Sequence, residues 1–434
     1  MATSICMLVT NPATHDPRVR REAASLVKAG YRVTVIGVRL TEGELDAEEL
    51  DGYLVRRIPH PRLALQRLMR RFPGLYRVAR WTYRRLRGCR TEPVGTRQEL
   101  TGKPSVSAGT ESGIATLQHD LRTILNVLWI NLRLAMSGWK ERADVYHAHD
   151  LDTLLAGYLC TTIPGRKLVY DYHELYTEQF QQGIKSGLWH GFFSMLEKVL
   201  AKRAHLCLTV CDSLGSWLAE CRGVPGVVTV RNVPALQPVA EAGPTGRNEP
   251  TILYHGLLFR NRGLEQLIEA VPLLTRGIVV IRGYGDYEPQ LRALVAAKGL
   301  DSRVQFAPPV RMVDLVREAV HADIGIAPFI PVCLNTQFCL PNKLFEYMMA
   351  GLAIAGSDLP EMRKVILGHE IGAVFDPLQP RAIADAINGI LADEGRLRQM
   401  KANAKQVAAS IYNWQAEERT FLKVYGDLVH RPAA

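Results

Sequence analysis

The sequence predicts an α/β protein made of two doubly wound domains in tandem, and three observations support this. The chain has 434 residues, more than one ordinary core uses, so two domains of roughly 200 residues are expected. Short apolar strands alternate with amphipathic helical stretches, which is typical of parallel sheets with crossover helices. The alternation stops at residues 233–250, a stretch rich in Pro, Gly and polar residues, and then restarts, which predicts a linker.

The first predicted domain covers residues 1–232 and begins with a β-α-β unit. The strand ICMLVT is followed by the loop NPATHD, a helix from Pro17 to Ala29 that Gly30 closes, and the strand YRVTVIGV. A helix between two strands is the usual connection of a parallel sheet. Four more apolar stretches predict strands at 144–149, 167–173, 205–210 and 227–232.

The second predicted domain covers residues 251–412 and repeats this alternation. A last helix, over 413–434, is expected to cross back to the first domain. Doubly wound sheets bind ligands outside the carboxyl ends of their strands, so a cleft between the two domains is the expected site. Five apolar stretches predict the strands of the second domain, at 251–256, 277–283, 304–309, 322–329 and 353–358.

The composition is that of a globular protein with a net charge of +10. This charge favours anionic partners, such as phosphorylated ligands, nucleic acid or acidic lipid. The eight cysteines are scattered without paired CxxC spacing. They therefore fit reduced thiols in the cytoplasm better than a disulfide framework or a zinc site.

No stretch of the sequence predicts a membrane span or a signal peptide. The start, MATSICMLVTN, is too short and lacks a basic flank, so a cytoplasmic location is expected. The most apolar long run, Thr123 to Trp139, is interrupted by Asn126, Asn131 and Arg133. That run therefore predicts an amphipathic helix.

Residues 56–90 form a basic stretch with twelve arginines and neither lysine nor acidic residues. Leucine, tyrosine and tryptophan are interleaved with the arginines, as in a helix that lies on anionic lipid. One alternative is a solvated pair of basic helices without a partner, and another is a nucleic-acid-binding segment. Residues 91–117 are polar and rich in Gly, Ser and Thr, which predicts a mobile segment.

The stretch CLPNKLFEYMMAG, residues 339–351, predicts a mostly buried helix with Pro341 in its first turn and Gly351 at its end. Lys343 and Glu346 lie on its polar edge. They form either a surface salt bridge of about 0.2–0.5 kcal/mol or part of a nucleotide site. In the second case the helix N-terminus and Lys343 face a diphosphate, and Glu346 accepts hydrogen bonds from ribose hydroxyls.

Two further loops of the second domain contain candidate ligand contacts. In YHGLLFRNRGLEQLIEA, Gly256 permits a tight loop, and Arg262 can bind a diphosphate through its guanidinium fork. Arg260, in the same loop, is expected to be a solvated charge. In RGYGDYEPQL, Gly283 and Gly285 would let a ligand approach the backbone, although this spacing alone is weak evidence.

Two histidines of the first domain follow predicted strands. His149 precedes Asp150, a predicted helix N-cap, and either packs a loop or contacts a ligand. His173 and Glu174 come after the next strand. These two either contact an acceptor or act structurally.

The order and spacing of several motifs resemble family 4 of the retaining glycosyltransferases, which have the two-domain GT-B fold. The resemblance runs nearly end to end through THDPRVRREAASLVKAGYRVTVIG, YHAHDLDTLLAG, YDYHELYTE, TVRNVP, YHGLLFRNRGLEQLIEA, VQFAPPV, PNKLFEYMMAG and YNWQAEERTFLKVY. It implies two Rossmann-like domains and transfer of a sugar from a nucleotide-sugar donor.

The resemblance also implies roles for single residues in donor binding. Arg262 and Lys343 would bind the donor diphosphate and act in catalysis, and Glu346 would bind ribose. Pro309 and Val310 would line the base through their backbone. The other implied donor-side residues are Asn342, Gly256 and Gly283.

In the first domain, the resemblance places His149, the second histidine of the HxH motif, beside the transferred sugar as a catalytic residue. The loop before the first helix implies that Asp16 and Arg18 approach the phosphates or the acceptor. His173 and Glu174 are the remaining acceptor-side candidates.

The sequence departs from the family pattern at three places. Phe338 stands where many members have a first glutamate that contacts the donor sugar, and Leu257 stands where an arginine is frequent. Asn11 and Pro12 lie where the first loop has a glycine pair. These departures leave the donor sugar open.

The predicted reaction is metal-independent transfer of a hexosyl group with retention, by front-face departure of the diphosphate. Asp150 and Asp152 have the spacing of a DxD metal motif, but they sit at a predicted helix start. No cofactor is expected besides the co-substrate, a UDP or GDP sugar. The expected acceptor is a glycan, for instance a polyprenyl-linked one in polysaccharide assembly.

The basic stretch would hold the enzyme on the inner face of the membrane as a peripheral protein. Three alternatives stay open. These are a nucleotide-sugar epimerase or inactive relative on the same fold, a glycosyltransferase with a soluble acceptor, and a nucleic-acid binder, which we do not expect.

Overall fold

The computed structural model describes residues 2–14, 16–64, 66, 111–178, 187–224, 226–237 and 249–430, with side chains from Leu117 onward in the helix that begins at Glu111. Its contacts divide the chain into two compact units. The first unit comprises residues 1–168 and 181–200, and the second comprises residues 169–180 and 201–434. The boundaries predicted from the sequence, 1–232, 233–250, 251–412 and 413–434, stay a prediction.

The first sheet has eight strands in the order β3-β4-β2-β1-β5-β6-β7-β8. The strands β3 and β4 form an antiparallel hairpin, whereas β4, β2, β1 and β5 pair in parallel, so their carboxyl ends meet at one edge. The order in which successive strands are added to the sheet changes direction between β1 and β5. Doubly wound sheets bind ligands at such a switch point. The strands are β1 (Ser4–Leu8), β2 (Arg32–Arg39), β3 (Ala47–Leu50), β4 (Tyr53–Pro59), β5 (Val145–His149), β6 (Lys167–Tyr172), β7 (Leu206–Thr209) and β8 (Val228–Thr229).

The second sheet has six parallel strands in the order β11-β10-β9-β12-β13-β14. Its winding reverses between β9 and β12. The strands are β9 (Thr251–Leu257), β10 (Ile278–Tyr284), β11 (Val304–Ala307), β12 (Ile324–Ala327), β13 (Ala353–Ser357) and β14 (Gly372–Phe375).

Helices cover both sheets, as the alternation predicts. In the part of the chain up to residue 224 they are α1 (Pro17–Lys28), α2 (Glu111–Glu141), α3 (Leu151–Cys160), α4 (Gly187–Leu200) and α5 (Asp212–Trp217). The later helices are α6 (Leu264–Ala270), α7 (Glu288–Ala297), α8 (Leu315–Ala319), α9 (Leu334–Gln337), α10 (Asn342–Ala350), α11 (Pro360–Gly368), α12 (Pro380–Leu391), α13 (Glu394–Ser410) and α14 (Trp414–His430).

The second sheet is buried between two apolar layers. On one face Leu267 of α6, Leu291 of α7 and Ile387 of α12 join one buried cluster. On the other, Phe345 of α10 and Ile366 of α11 join a second cluster. Burial on both faces explains why these strands are apolar without alternation.

Several predicted elements differ from the structure in their bounds. The hairpin β3–β4 and the strand β14 were not predicted. Pro341 precedes the first turn of α10, as its N-cap with φ −74° and ψ 143°, instead of lying within that turn. Residues 111–117 of the predicted mobile segment begin the helix α2, and residues 91–110 lie outside the described residues.

The apolar run from Thr123 to Trp139 does form a helix, since it lies within α2. Among the described residues, no helix combines the length and apolar character that a membrane crossing needs.

Candidate functional site

Lys343 is a buried cation at the start of α10. Its side chain is 8% exposed. Its Nζ lies 3.5 Å from the centroid of the Tyr254 ring and 5.2 Å from that of Phe329. Aromatic faces of this kind partly replace the water that the ammonium has lost.

Arg262 supplies a second cation at the same ring. Its guanidinium carbon lies 4.8 Å from the centroid of Phe329. Burial and the charge of Arg262 hold the pKa of Lys343 well below its usual range, and Glu346 and Cys339 oppose this shift. Two cations that disfavour each other form a site that an anion would stabilise.

Two glycines allow backbones to approach closely beside these cations. Gly263, with φ 70°, starts α6, and a Cβ there would lie 1.8 Å from the carbonyl oxygen of Pro328. Gly283, with φ 154°, pairs with Gly256, and a Cβ there would lie 1.8 Å from the Gly256 oxygen. Neither position can hold a larger residue without moving a backbone.

Gly256 itself bounds the space around Lys343. Its φ is 136°, and a Cβ at this position would lie 3.1 Å from the Lys343 Nζ. A side chain here would therefore crowd the ammonium.

Glu346 pairs with a histidine that the sequence analysis missed. The Nε2 of His255 lies 2.7 Å from Oε2 of Glu346. The His255 ring packs on that of Tyr347, with centroids 4.6 Å apart, and its backbone N–H donates to the Tyr347 hydroxyl at 3.0 Å. Among the described residues, Lys343 makes no ion pair, so the surface salt bridge with Glu346 is not present.

The other donor-side candidates follow neighbouring strands of the second sheet. Gly256 is the last residue but one of β9, Gly283 lies in β10, and Pro309 and Val310 follow β11. Because these strands are adjacent and parallel, the residues meet at one edge of the sheet. Pro309 is exposed and Val310 is half-buried. Their roles stay a prediction.

Asn342 and Arg260 are both exposed. Asn342 is the first residue of α10. Arg260 lies with its guanidinium carbon 5.0 Å from the Tyr287 ring centroid, away from the Phe329 ring that Arg262 contacts.

In the first unit, His149 ends β5 as a buried side chain, 3% exposed. Its ring stacks on His147, with centroids 4.1 Å apart and an angle of 19°. The Nε2 of His147 lies 3.9 Å from Oε2 of Glu22, and the Nε of Arg18 lies 3.1 Å from Oε1 of Glu22. His149 therefore belongs to a buried polar group beneath the edge of the sheet.

Arg18 is 2% exposed, and its guanidinium pairs with Glu22 of the same helix. Asp16 is the N-cap of α1: its Oδ1 accepts hydrogen bonds from the N–H groups of Arg18 and Val19, each at 3.2 Å. Its Oδ2 accepts one from Nδ2 of Asn11 at 2.9 Å. Both residues thus stabilise the start of α1, and their acceptor-side roles stay a prediction.

Arg57 corrects part of the prediction for the basic stretch. It lies in β4 and is 6% exposed. Its guanidinium donates to the Pro12 oxygen at 2.8 Å, to the Thr14 hydroxyl at 2.8 Å and to the Leu45 oxygen at 2.9 Å, and it pairs with Glu48. Arg57 therefore braces the loop between β1 and α1 and cannot face a lipid surface.

The predicted capping role of Asp150 is wrong in part. It occupies the N-cap position of α3, but its side chain makes no capping hydrogen bond. Its φ of 62° and ψ of 168° lie in a region that is almost restricted to glycine. The neighbouring Asp152 accepts from the Thr10 hydroxyl at 2.5 Å, and the Thr153 hydroxyl donates to the His149 oxygen at 2.7 Å. Such strain clusters at functional sites.

His173 and Glu174 lie in the second unit. The Nε2 of His173 is 2.8 Å from Oδ2 of the buried Asp171. Glu174 is exposed. The structure thus orients His173 through a carboxylate, and the contacts of both residues with an acceptor stay a prediction.

One group of described side chains has the composition of a metal site. The ligand atoms of Glu22, His147 and His149 lie within 4.8 Å of one another. The guanidinium of Arg18 already supplies a positive charge to Glu22, which disfavours a cation there. Metal independence nevertheless stays a prediction.

Two sequence families match the chain. Residues 15–233 match the family described as "Glycosyl transferase 4-like domain", and residues 240–407 match "Glycosyl transferases group 1".

Curated relatives are about a quarter identical to this chain over the aligned residues. Phosphatidyl-myo-inositol mannosyltransferase of Mycobacterium leprae is 25% identical over 65% of this chain and 73% of its own length. GDP-mannose:cellobiosyl-diphosphopolyprenol alpha-mannosyltransferase of Xanthomonas oryzae pv. oryzae is 25% identical over 67% of this chain and 76% of its own length.

Solved structures share the fold. Sucrose-phosphate synthase of Thermosynechococcus elongatus superposes with a TM-score of 0.71 at 17% identity, covering 98% of this chain and 99% of the other. HepE of Anabaena, solved with UDP, gives 0.68 at 14% identity, covering 98% and 100%. The chain has the GT-B fold of two Rossmann-like domains. The 4-like family alone matches just over half of the 434 residues. The chain therefore belongs to the glycosyltransferases of this 4-like family, with a second half that matches group 1.

Proposed function

We propose that the protein is a retaining glycosyltransferase that moves a hexosyl group from a UDP or GDP sugar to a glycan on a polyprenyl-type lipid, in polysaccharide assembly. One observation carries the proposal. The buried cation Lys343 and Arg262 share the Phe329 ring at the amino end of α10, which is the arrangement that a diphosphate would stabilise.

The names of relatives support the donor and the acceptor. The Xanthomonas relative is named for GDP-mannose and for a cellobiosyl-diphosphopolyprenol acceptor, and the mycobacterial one for a phosphatidyl-inositol acceptor. HepE was solved with UDP. A nucleotide donor and a lipid-linked acceptor therefore fit this chain as well.

The leaving group defines the catalytic roles. When the bond between the anomeric carbon and the diphosphate oxygen breaks, negative charge develops on the diphosphate. Arg262, Lys343 and the free N–H groups of α10 would stabilise that charge. Glu346 would accept hydrogen bonds from the ribose. Pro309 and Val310 would line the base, beside Asn342, Gly256 and Gly283.

Retention follows from front-face departure. The new bond between the anomeric carbon and the acceptor oxygen forms on the face that the diphosphate leaves, and a donor phosphate oxygen receives the proton of the acceptor. His149 would lie beside the transferred sugar, and Asp16, Arg18, His173 and Glu174 on the acceptor side. Closure of the two domains would exclude water.

We place the enzyme in the cytoplasm, on the inner face of the membrane. The basic stretch, residues 56–90, would bind anionic lipid there, although residues 65 and 67–90 lie outside the described residues. Arg57, which braces the β1–α1 loop, is not among the lipid contacts.

A second candidate is a nucleotide-sugar epimerase or inactive relative. Phe338 favours it, because this residue stands where the resemblance implies a glutamate that contacts the donor sugar. The carbonyl oxygen of Phe338 accepts a hydrogen bond from the Cys211 thiol at 3.4 Å.

A panel of UDP-, GDP- and dTDP-sugars tests both candidates. The donor that raises the melting temperature most is then incubated with polyprenyl-linked and with soluble glycans, and the products are identified by mass spectrometry. We expect transfer to the polyprenyl-linked glycan. Donor isomerised or hydrolysed without acceptor would favour the epimerase, and a soluble product would replace the lipid acceptor. Absence of stabilisation by every donor would contradict the proposal.

A further inference from the structure

The helix α2 (Glu111–Glu141) exposes one long apolar face to solvent. The large apolar side chains of this face are between 37% and 64% exposed, although leucines of amphipathic helices are usually buried. The exposed set is Leu117 (45%), Leu121 (45%), Leu125 (64%), Leu132 (51%), Met136 (44%) and Trp139 (37%).

These side chains form a single stripe. At 3.6 residues per turn, these six positions fall within an arc of about 100°. The stripe is about 33 Å long at 1.5 Å per residue. The adjoining side of the helix, with Ile130 and Leu134, packs in the core of the first unit, and the buried Ala135 lies where the two sides meet. The exposed stripe thus extends the apolar surface of the helix beyond the side that packs in the core.

A row of cations borders the stripe. Arg122, Arg133 and Lys140 are exposed, and all three project within about 60° of one edge of the apolar arc. Between Leu117 and Lys140 there is one acidic residue, Asp120, and it is 2% exposed. The charge presented beside the stripe is therefore positive only.

The neighbouring helix α4 (Gly187–Leu200) has the same character. It packs against α2 and exposes Leu188, Met195 and Val199 at 45%, 64% and 54%. Its acidic residue, Glu197, is fully buried, whereas Lys198 is exposed.

We propose that the apolar stripe of α2 lies in the headgroup region of an anionic membrane, with Arg122, Arg133 and Lys140 on lipid phosphates. An exposed apolar face with a purely basic border is what an interfacial helix presents. A protein partner would need the apolar face but not the flanking cations. The inference rests on the proposed function in one respect. Membrane binding would serve this enzyme because a lipid-linked acceptor is reached only at the membrane.

The test measures binding of the full chain to vesicles, so it does not depend on sugar transfer. Wild type is mixed with vesicles of phosphatidylcholine alone, or with added phosphatidylglycerol, and recovered by flotation. We expect binding to the anionic vesicles only. Leu121→Ser, Leu125→Ser and Leu132→Ser combined should weaken it at least about tenfold. Arg122→Gln, Arg133→Gln and Lys140→Gln should each weaken it about fivefold.

A matched variant controls for the loss of exposed apolar surface. Met312, Val313 and Leu378 of the second unit are 56%, 68% and 56% exposed. Their combined change to Ser should leave vesicle binding unchanged. Thermal melting and nucleoside-diphosphate binding confirm that each variant is folded. Brominated lipid should quench the fluorescence of wild type more than that of Trp139→Phe, because Trp139 ends the stripe.

Three results would overturn the inference. The first is wild-type protein that stays in solution with anionic vesicles, and the second is a triple serine variant that binds as well as wild type. The third is a dimer in solution that the serine variant converts to a monomer, which would make the stripe a contact between copies. Vesicle binding that is lost only in the variant that combines Arg70→Glu, Arg71→Glu, Arg84→Glu and Arg85→Glu would show that the basic stretch contacts the membrane instead of α2. Failure of sugar transfer with vesicle binding intact would contradict the proposed function alone.

Discussion

At the scale of single residues, a proton is expected to bind together with the nucleoside diphosphate. Burial and Arg262 hold the pKa of Lys343 well below 10.5, so in the pH window between that lowered pKa and 10.5 the free protein has a neutral Lys343. A bound diphosphate favours the ammonium. Binding therefore takes up a proton, and the affinity falls as pH rises through this window.

Calorimetry in buffers of different ionisation enthalpy measures this uptake directly. The heat of binding should change with the buffer for wild type and much less for Lys343→Met. Unfolding restores the usual lysine pKa, so the unfolded state binds more protons in this window, and the free protein should gain stability as pH rises. Equal heats in all buffers would show that Lys343 is already charged before the diphosphate binds.

Loss of either cation should slow sugar transfer. Arg262→Ala and Lys343→Ala each remove one donor aimed at the leaving group, which costs about 10- to 1000-fold in turnover elsewhere. Arg260→Ala is a matched control, because Arg260 lies in the same loop but is exposed and contacts Tyr287. Steady-state kinetics should show little change for it. Wild-type kcat/KM in both Arg262→Ala and Lys343→Ala would remove these residues from the site.

Glu346 and His255 should act together on the ribose. If Glu346 accepts ribose hydroxyls, Glu346→Ala should weaken binding of a ribonucleoside diphosphate about 10- to 100-fold, the usual worth of a hydrogen bond to a charged group. Binding of the deoxy analogue should change less. His255→Phe keeps the packing on Tyr347 but removes the 2.7 Å contact with Glu346, so it should reduce the same discrimination. Unchanged ribose discrimination in both variants would leave the pair a structural one.

At the scale of elements, the loop between β1 and α1 depends on an arginine from β4. Arg57 is 6% exposed and reaches Pro12, Thr14, Leu45 and Glu48. Arg57→Met should destabilise the protein by about 2–4 kcal/mol, since buried partners lose a charged donor.

Its neighbour provides the control for this prediction. Arg56 is half-exposed and pairs with Glu141 at 3.2 Å, so Arg56→Met should change the free energy of unfolding by less than about 1 kcal/mol. The melting temperatures of the two variants compare them directly. Equal shifts would mean that the hydrogen bonds of Arg57 contribute no more than a surface ion pair.

The same strand shows where sequence patterns stop being informative. The β-α alternation is visible locally, because apolar runs and the glycines between them mark each strand and helix, and it predicted most strands of both sheets. In YLVRRIP, two adjacent arginines hide a strand. The burial of Arg57 depends on acceptors 43 and 45 residues away. Nothing in the local sequence can show those partners.

The candidate site divides in the same way. The positions of Lys343, Arg262 and the glycines at a helix start and in a glycine-rich loop were predictable from spacing, whereas their roles stay a prediction. His255 was not, because its partner Glu346 is 91 residues away. Its one signal in the sequence is its place directly before Gly256, at the carboxyl end of a predicted strand. The strained backbone of Asp150 has no sequence signal at all.

At the scale of the whole molecule, we expect sugar transfer to survive removal of divalent metals. Arg262, Lys343 and a helix N-terminus can supply the charge that a metal would supply, so none is needed at the diphosphate. Turnover measured after dialysis against EDTA should equal that of untreated protein, and added Mg²⁺ or Mn²⁺ should not raise it. Activity that is lost on chelation and restored by Mn²⁺ would contradict this prediction. Glu22, His147 and His149 would then be the candidate metal ligands.

The paired cations also bear on how the catalytic cycle ends. In the proposed site, the charge of Arg262 disfavours the ammonium of Lys343 until a diphosphate binds, and after sugar transfer the departing nucleoside diphosphate would carry more negative charge than the donor did. The spent nucleotide would then be held at least as firmly as the donor. Its escape, instead of the chemical step, would limit the rate of turnover, and accumulated nucleotide would inhibit the enzyme in competition with fresh donor. A cell that hydrolyses the released nucleotide would thereby keep this enzyme working.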